Sequence, residues 1–192
     1  MRPKFILLLG FVLALTLIAQ AAPPKGWILA GSEPANYETG IDATLHYNAH
    51  PAAYLKFKTS MLSDEGFGTL MQSIAADQYR GKRVRFRAFA KTEAVSQWAG
   101  LWMRVDKGSA VVAFDNMQSR PLKGTSEWRS FDIVLDVPED ATGISFGVLL
   151  TGNGSVWISD ADFAMVSVEV ATTAKSQNDD RPKAPVNLNF GE

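Results

Sequence analysis

The sequence predicts an all-β protein, a sandwich or barrel of about nine or ten short strands, and three features carry that expectation. Apolar residues alternate with polar ones in several separate runs, as half-buried strands require. Turn chemistry separates those runs, with Gly152-Asn153-Gly154 the strongest example. No convincing amphipathic helix follows the N-terminal leader.

Taken in order, the chain opens with MRPKFILLLGFVLALTLIAQAAPP. Arg2 and Lys4 precede an almost wholly apolar run from Phe5 to Ile18, and Ala19-Gln20-Ala21 is a small-x-small cleavage site. This reads as a secretory signal-peptide helix over residues 1–21, because the apolar run is short for a membrane span. Cleavage after Ala21 leaves an exported chain, periplasmic or extracellular, with no span in its mature part. Residues 22–170 then form one β-sandwich domain. Gly26 to Gly31 is a short apolar segment, Tyr37 to Leu45 an extended strand interrupted at Gly40, and His46 to Ala52 a polar connection. From Ala53 to Lys58 the alternation is clear, and Phe67 to Ile74 resumes it after a break. Val84, Phe86, Ala88 and Ala90 alternate with Arg83, Arg85, Arg87 and Phe89, and Thr92 to Gln97 links this run to WAGLWMRVD, residues 98–106. Lys107-Gly108-Ser109 turns the chain into Ala110 to Phe114 as a hairpin. A long polar loop, Asp115 to Glu127, precedes strands centred on Phe131 to Val137, Ile144 to Leu150, Val156 to Ser159 and Phe163 to Val170. Residues 171–185 read as a flexible linker. Residues 186–192 form a C-terminal segment that either adds a strand or frays.

Composition removes several function classes. Acids outnumber bases by one over the whole chain, and loss of the leader removes Arg2 and Lys4 but no acid. A mildly acidic domain has no general pull on nucleic acid. The absence of cysteine excludes disulfides, thiolate metal sites and a cysteine nucleophile. His46 and His50 sit in a loop context rather than on a helix, and no oxygen-rich loop has a diagnostic calcium spacing. No cofactor, metal or catalytic residue is read from the sequence. Asp106 and Asp115 could imitate a glycosidase pair across a hairpin, a weak signal.

The chemistry worth following lies at residues 98–120. Period two places Leu101, Met103 and Val105 on a core face and Trp98, Trp102, Arg104 and Asp106 on the other. The two indoles project from one face roughly 13 Å apart, at ~3.3 Å per residue. Sugar C–H faces stack on indoles while polar neighbours read hydroxyls. Asp115, Asn116, Gln118 and Arg120 supply further polar groups if their loop folds over the sheet. The candidate ligand-binding set is therefore Trp98, Trp102, Arg104, Asp106, Asp115, Asn116, Gln118 and Arg120. The competing reading has the indoles covering a second apolar layer. Arg83, Arg85 and Arg87 either bind an anion or pair across strands with Asp132 and Asp136.

The segments GTLMQSIAADQYRGKRVRFRAFAKTE (68–93) and SVWISDADFAMV (155–166) resemble strands of galactose-binding-like, carbohydrate-binding-module-like jelly rolls. The middle of the chain is similar to a bacterial group of mostly uncharacterised exported domains of that type. The resemblance implies an antiparallel jelly-roll sandwich and a non-catalytic binding role, with a glycan as first ligand. The alternative it leaves open is an envelope protein-interaction or assembly domain with a protein partner. Such modules usually open with N-x-x-F-E before Gly-Trp. Here Gly26-Trp27 stands almost alone, whereas NLNFGE closes the chain, so the end could supply a displaced first strand.

Overall fold

A computed structural model describes residues 21–58 and 65–174. The leader expected over most of residues 1–21, the bulk of the linker and the C-terminal segment at 186–192 lie outside the described residues. Those residues form nine strands: β1 (Ile28–Gly31), β2 (Tyr37–Tyr47), β3 (His50–Phe57), β4 (Phe67–Ala75), β5 (Lys82–Lys107), β6 (Ala110–Asp115), β7 (Leu122–Val137), β8 (Gly143–Thr151) and β9 (Ser155–Val166). A single 3-10 turn, Pro34–Asn36, is the only helical element among them. Every pairing is antiparallel.

The two layers share one strand. The first part of β5, through Glu93, pairs with β9 on one side and β7 on the other, within the order β2-β3-β9-β5-β7. From Trp98 to Lys107 the same strand pairs with β8 and β6, within the order β1-β4-β8-β5-β6. Register shifts between Ala90 and Ala99 mark where it bends from one sheet into the other. The expected link at Thr92 to Gln97 is thus a bend inside a 26-residue strand. The alternation on either side of it holds.

Two other connections are shorter than the sequence suggests. The expected polar connection from His46 to Ala52 reduces to Asn48-Ala49, because both residues adopt left-handed φ (47° and 66°) and close a two-residue hairpin. Asn48 announces such a turn; Ala49 does not. The expected loop from Asp115 to Glu127 likewise shrinks, since β7 already begins at Leu122.

The core lies between the layers. Leu70, Leu101, Met103, Val105, Ile144, Val148 and Leu150 from one sheet meet Tyr37, Leu55, Val84, Phe86, Ile133, Leu135 and Val156 from the other. Each fully buried large apolar side chain contributes roughly 1.5–3 kcal/mol relative to exposure. A chain without disulfides depends on that term. At the edge, Thr173 Oγ1 accepts from the Val134 backbone N–H at 2.9 Å, and the Thr173 N–H donates to the Val134 carbonyl at the same distance. The segment through Ala174 therefore lies along β7 before the described residues end.

The arginine row is largely spoken for. Arg83 pairs with Asp136 at 2.7 Å, and Arg85 approaches Asp162 at 3.7 Å. Arg87 stands opposite Asp132 and Asp162 in register. Cross-strand pairing therefore absorbs Arg83 as the sequence suggests, while Arg85 turns to Asp162 on β9 and not to the acids of β7.

A bulge in β2 is organised by one carboxylate. Asp42 accepts from the Thr44 and Leu45 backbone N–H groups, the Thr44 hydroxyl and Trp157 Nε1. The Thr44 N–H makes the largest contribution to holding the Asp42 carboxyl down at about 2. A depressed carboxylate pKa stabilises the fold above the unfolded-state value, and that contribution fades as pH falls through the folded value. Asp42→Ala is expected to cost about 2 kcal/mol at pH 7. The difference in thermal midpoint between the two proteins should shrink as pH falls from about 4 to about 2.

Candidate ligand-binding groove

The outer face of the β1-β4-β8-β5-β6 sheet carries a groove of about 440 Å³, lined chiefly by Phe67, Thr69, Met71, Trp98, Trp102, Arg104, Phe114 and Asn116. Strand register builds it. Met71, Gly147 and Trp102 are successive Cα partners across β4, β8 and β5, as are Ser73, Ser145, Arg104 and Phe114 with β6 added. Trp98 faces Thr151 and Phe67 in a parallel row at one end. Arg104 lies six residue steps along the strand from Trp98, so the groove extends roughly 20 Å along β5.

Trp102 forms the floor. Its Nε1 donates to Thr69 Oγ1 at 2.7 Å, and that hydroxyl donates to the Val148 carbonyl at 2.8 Å. Because Thr69 lies two strands away, the indole must lie flat across β8. Gly147, its register partner, presents no side chain beneath it. Trp102 is only 8% exposed, so most of its surface is covered, as the competing reading of the indoles expects, and only a small part of it faces the groove. Trp98 is half-buried at the groove end.

The loop after β6 does fold over the sheet. A Cβ on Gly100 would stand 3.0 Å from the Met117 Cβ and 3.2 Å from the Asn116 carbonyl oxygen. The loop thereby walls the groove and seals Met117, which has a left-handed φ of 61° and is fully buried. Asp115 holds this conformation: it accepts from the Met117 N–H at 2.9 Å and pairs with Arg120 at 2.8 Å. Arg120 also donates to the Asp132 carbonyl. Asn116 Oδ1 accepts from the Gln118 N–H.

The eight candidate residues thus separate into groups. Trp98, Trp102, Arg104 and Asn116 come together on the groove wall. Asp106 lies behind Arg104 and pairs with its Nε at 3.0 Å. Asp115 and Arg120 form the ion pair that fixes the loop, on the core side of β6. Gln118 is exposed at the loop tip. Asp106 and Asp115 consequently occupy opposite faces, each held by its own arginine, and share no bond-cleaving position. Phe67, Met71 and Phe114 complete the wall; they escaped the sequence reading because two of them come from a strand distant in the chain. Among the described residues, no cluster of three or more histidine or acidic side chains could hold a metal ion.

Comparison with known proteins bears on this architecture. No protein-family model matches the chain. It aligns with the "Xyn10C" CBM22-1 xylan-binding domain of Paenibacillus barcinonensis at a TM-score of 0.51, covering 77% of this chain and 90% of that one, at 12% identity. The chain shares the fold of carbohydrate-binding β-sandwich domains. The same fold serves catalysis elsewhere, since the Stig cyclase Fisc of Fischerella sp. TAU aligns at a TM-score of 0.51 and 13% identity, over 80% of this chain and 91% of that one. In sequence, the chain is 45% identical over 170 residues to the uncharacterized HTH-type transcriptional regulator YbfP of Bacillus subtilis (strain 168). That match takes in 88% of this chain but spans only 57% of the length of YbfP.

Gly147 tests how tightly the floor is built. A Cβ there would stand 2.2 Å from the Leu70 carbonyl oxygen, which forces β4 away and with it Thr69. Gly147→Ala is expected to cost about 3 kcal/mol, the upper range for overpacking, read as a lower midpoint in denaturant unfolding.

Proposed function

We propose that this protein is a non-catalytic binding domain whose ligand lies in the groove over Trp102, with a glycan as that ligand. The observation that carries the reading is the groove itself: two indoles, one flat and hydrogen-bonded in place, beside Arg104 and Asn116 on a rigid sheet. Flat rings fixed on strands offer stacking surface at little entropic cost, and apolar lining with a few placed polar groups is the usual composition of such sites. The xylan-binding domain of Paenibacillus barcinonensis supports a sugar, because it has the same fold over nearly its full length. Arg2, Lys4 and the apolar run to Ile18 support export, to the periplasm or cell exterior, after cleavage at Ala21.

YbfP favours a second reading, a ligand-sensing domain of a regulator. The described residues contain no pair of helices from which a helix-turn-helix could be made. On this reading they correspond to the part of YbfP that senses rather than the part that binds DNA. Both readings place the ligand in the same groove.

A glycan array followed by titration calorimetry tests the proposal. Trp102→Ala should abolish binding of any sugar that the native protein retains, and Trp98→Ala should weaken it about tenfold, about 1.4 kcal/mol. Absence of binding to every glycan, beside capture of a stable protein partner, would favour the assembly role. N-terminal sequencing of the secreted protein should begin at Ala22.

A further inference from the structure

We infer that the groove selects a ligand bearing a carboxylate, and that Arg104 is the residue that reads it; on the glycan reading above, this means an acidic sugar such as a uronate. The inference begins with the way Arg104 is held. Its Nε is committed to Asp106 at 3.0 Å, and the pair is unequally exposed, the arginine side chain at 43% and the aspartate at 18%. Asp106 is thus the more buried partner and the anchor, and Arg104, which lines the groove, keeps its terminal nitrogens on that side. Neither terminal nitrogen of Arg104 makes a hydrogen bond among the described residues. Neighbouring Phe114, 46% exposed and opposite Arg104 in register, gives that end an apolar flank.

The remaining polar groups on the wall point the same way. Thr69 is used twice, by Trp102 and by the Val148 carbonyl. The Thr151 hydroxyl faces Gln97 and the Trp98 carbonyl. Asn116 Oδ1 is taken by the Gln118 N–H, which leaves its amide N–H groups free. The wall side-chain nitrogens left without a partner among the described residues, two on Arg104, one on Asn116 and the indole nitrogen of Trp98, are all donors. No carboxylate is among the residues lining the groove. A ligand made of hydroxyls alone would satisfy those donors singly. A carboxylate accepts from both terminal nitrogens of one guanidinium at once, the strongest arrangement such a group offers. The Asp106 pair fixes the fork beforehand, so little rotamer freedom is lost on binding.

The decisive experiment compares a xylo-oligosaccharide carrying one glucuronic acid branch with the same oligosaccharide unbranched, by titration calorimetry on the full chain. The branched probe should bind at least tenfold more tightly at low salt, and 0.5 M NaCl should reduce that margin. Arg104→Lys keeps the charge but loses the fork, so it should remove most of the preference while still binding the unbranched probe. Asp106→Asn, which leaves the charge of Arg104 intact, should weaken the branched probe only a few-fold. Thermal unfolding of each variant checks that the fold persists. Equal affinity for the two probes, unaltered by Arg104→Lys, would overturn the carboxylate assignment and leave the glycan groove standing. Failure of both probes to bind overturns the assignment and, with a blank glycan array, the glycan reading as well.

Discussion

Everything in this molecule hangs on β5 serving two sheets. Its first half contributes Val84, Phe86, Ala88 and Ala90 to the core from one layer, and its second half contributes Ala99, Leu101, Met103 and Val105 from the other. A strand that passes from layer to layer fixes the spacing and angle between them without a linker to adjust. The bend near Val95 therefore sets which way the outer face of residues 98–106 looks. The floor of the groove inherits its geometry from the strands, and the loop after β6 adds its wall.

The groove is rigid for a related reason. Its floor is an indole tied to a threonine two strands away, and its wall is a loop locked by a buried carboxylate and an arginine. Breaking either tie would leave a buried polar group unsatisfied, which costs about 1–3 kcal/mol. Preorganisation of this kind suits recognition, since a side chain already immobilised loses little entropy when a ligand arrives. The acids that might have suggested hydrolysis are instead consumed in this scaffolding, Asp106 orienting Arg104 and Asp115 holding Arg120.

Similarity to known proteins divides along the same line between scaffold and site. The sandwich recurs in a xylan-binding domain and in a cyclase at identities near one residue in eight. Such distant likeness follows from layer packing and says nothing of the residues on one outer face. The closer sequence match to part of YbfP involves a much larger share of side chains.

Local alternation by itself determined the all-β class, the approximate place of most strands though not their ends, and the division of residues 98–106 into a core face and an outer face, because side-chain direction in a strand has period two whatever the partner. It also marked Trp98, Trp102 and Arg104 as neighbours on one face, since all three belong to one strand. Only the tertiary structure could join the two halves of β5 or bring Phe67, Thr69 and Met71 beside Trp102, because strand order and register depend on contacts remote in the chain. The same holds for the acids: one strand pattern cannot tell an aspartate that lines a groove from one that anchors an arginine behind it. That distinction is made by burial and partner, and both exist only once the sheets have closed.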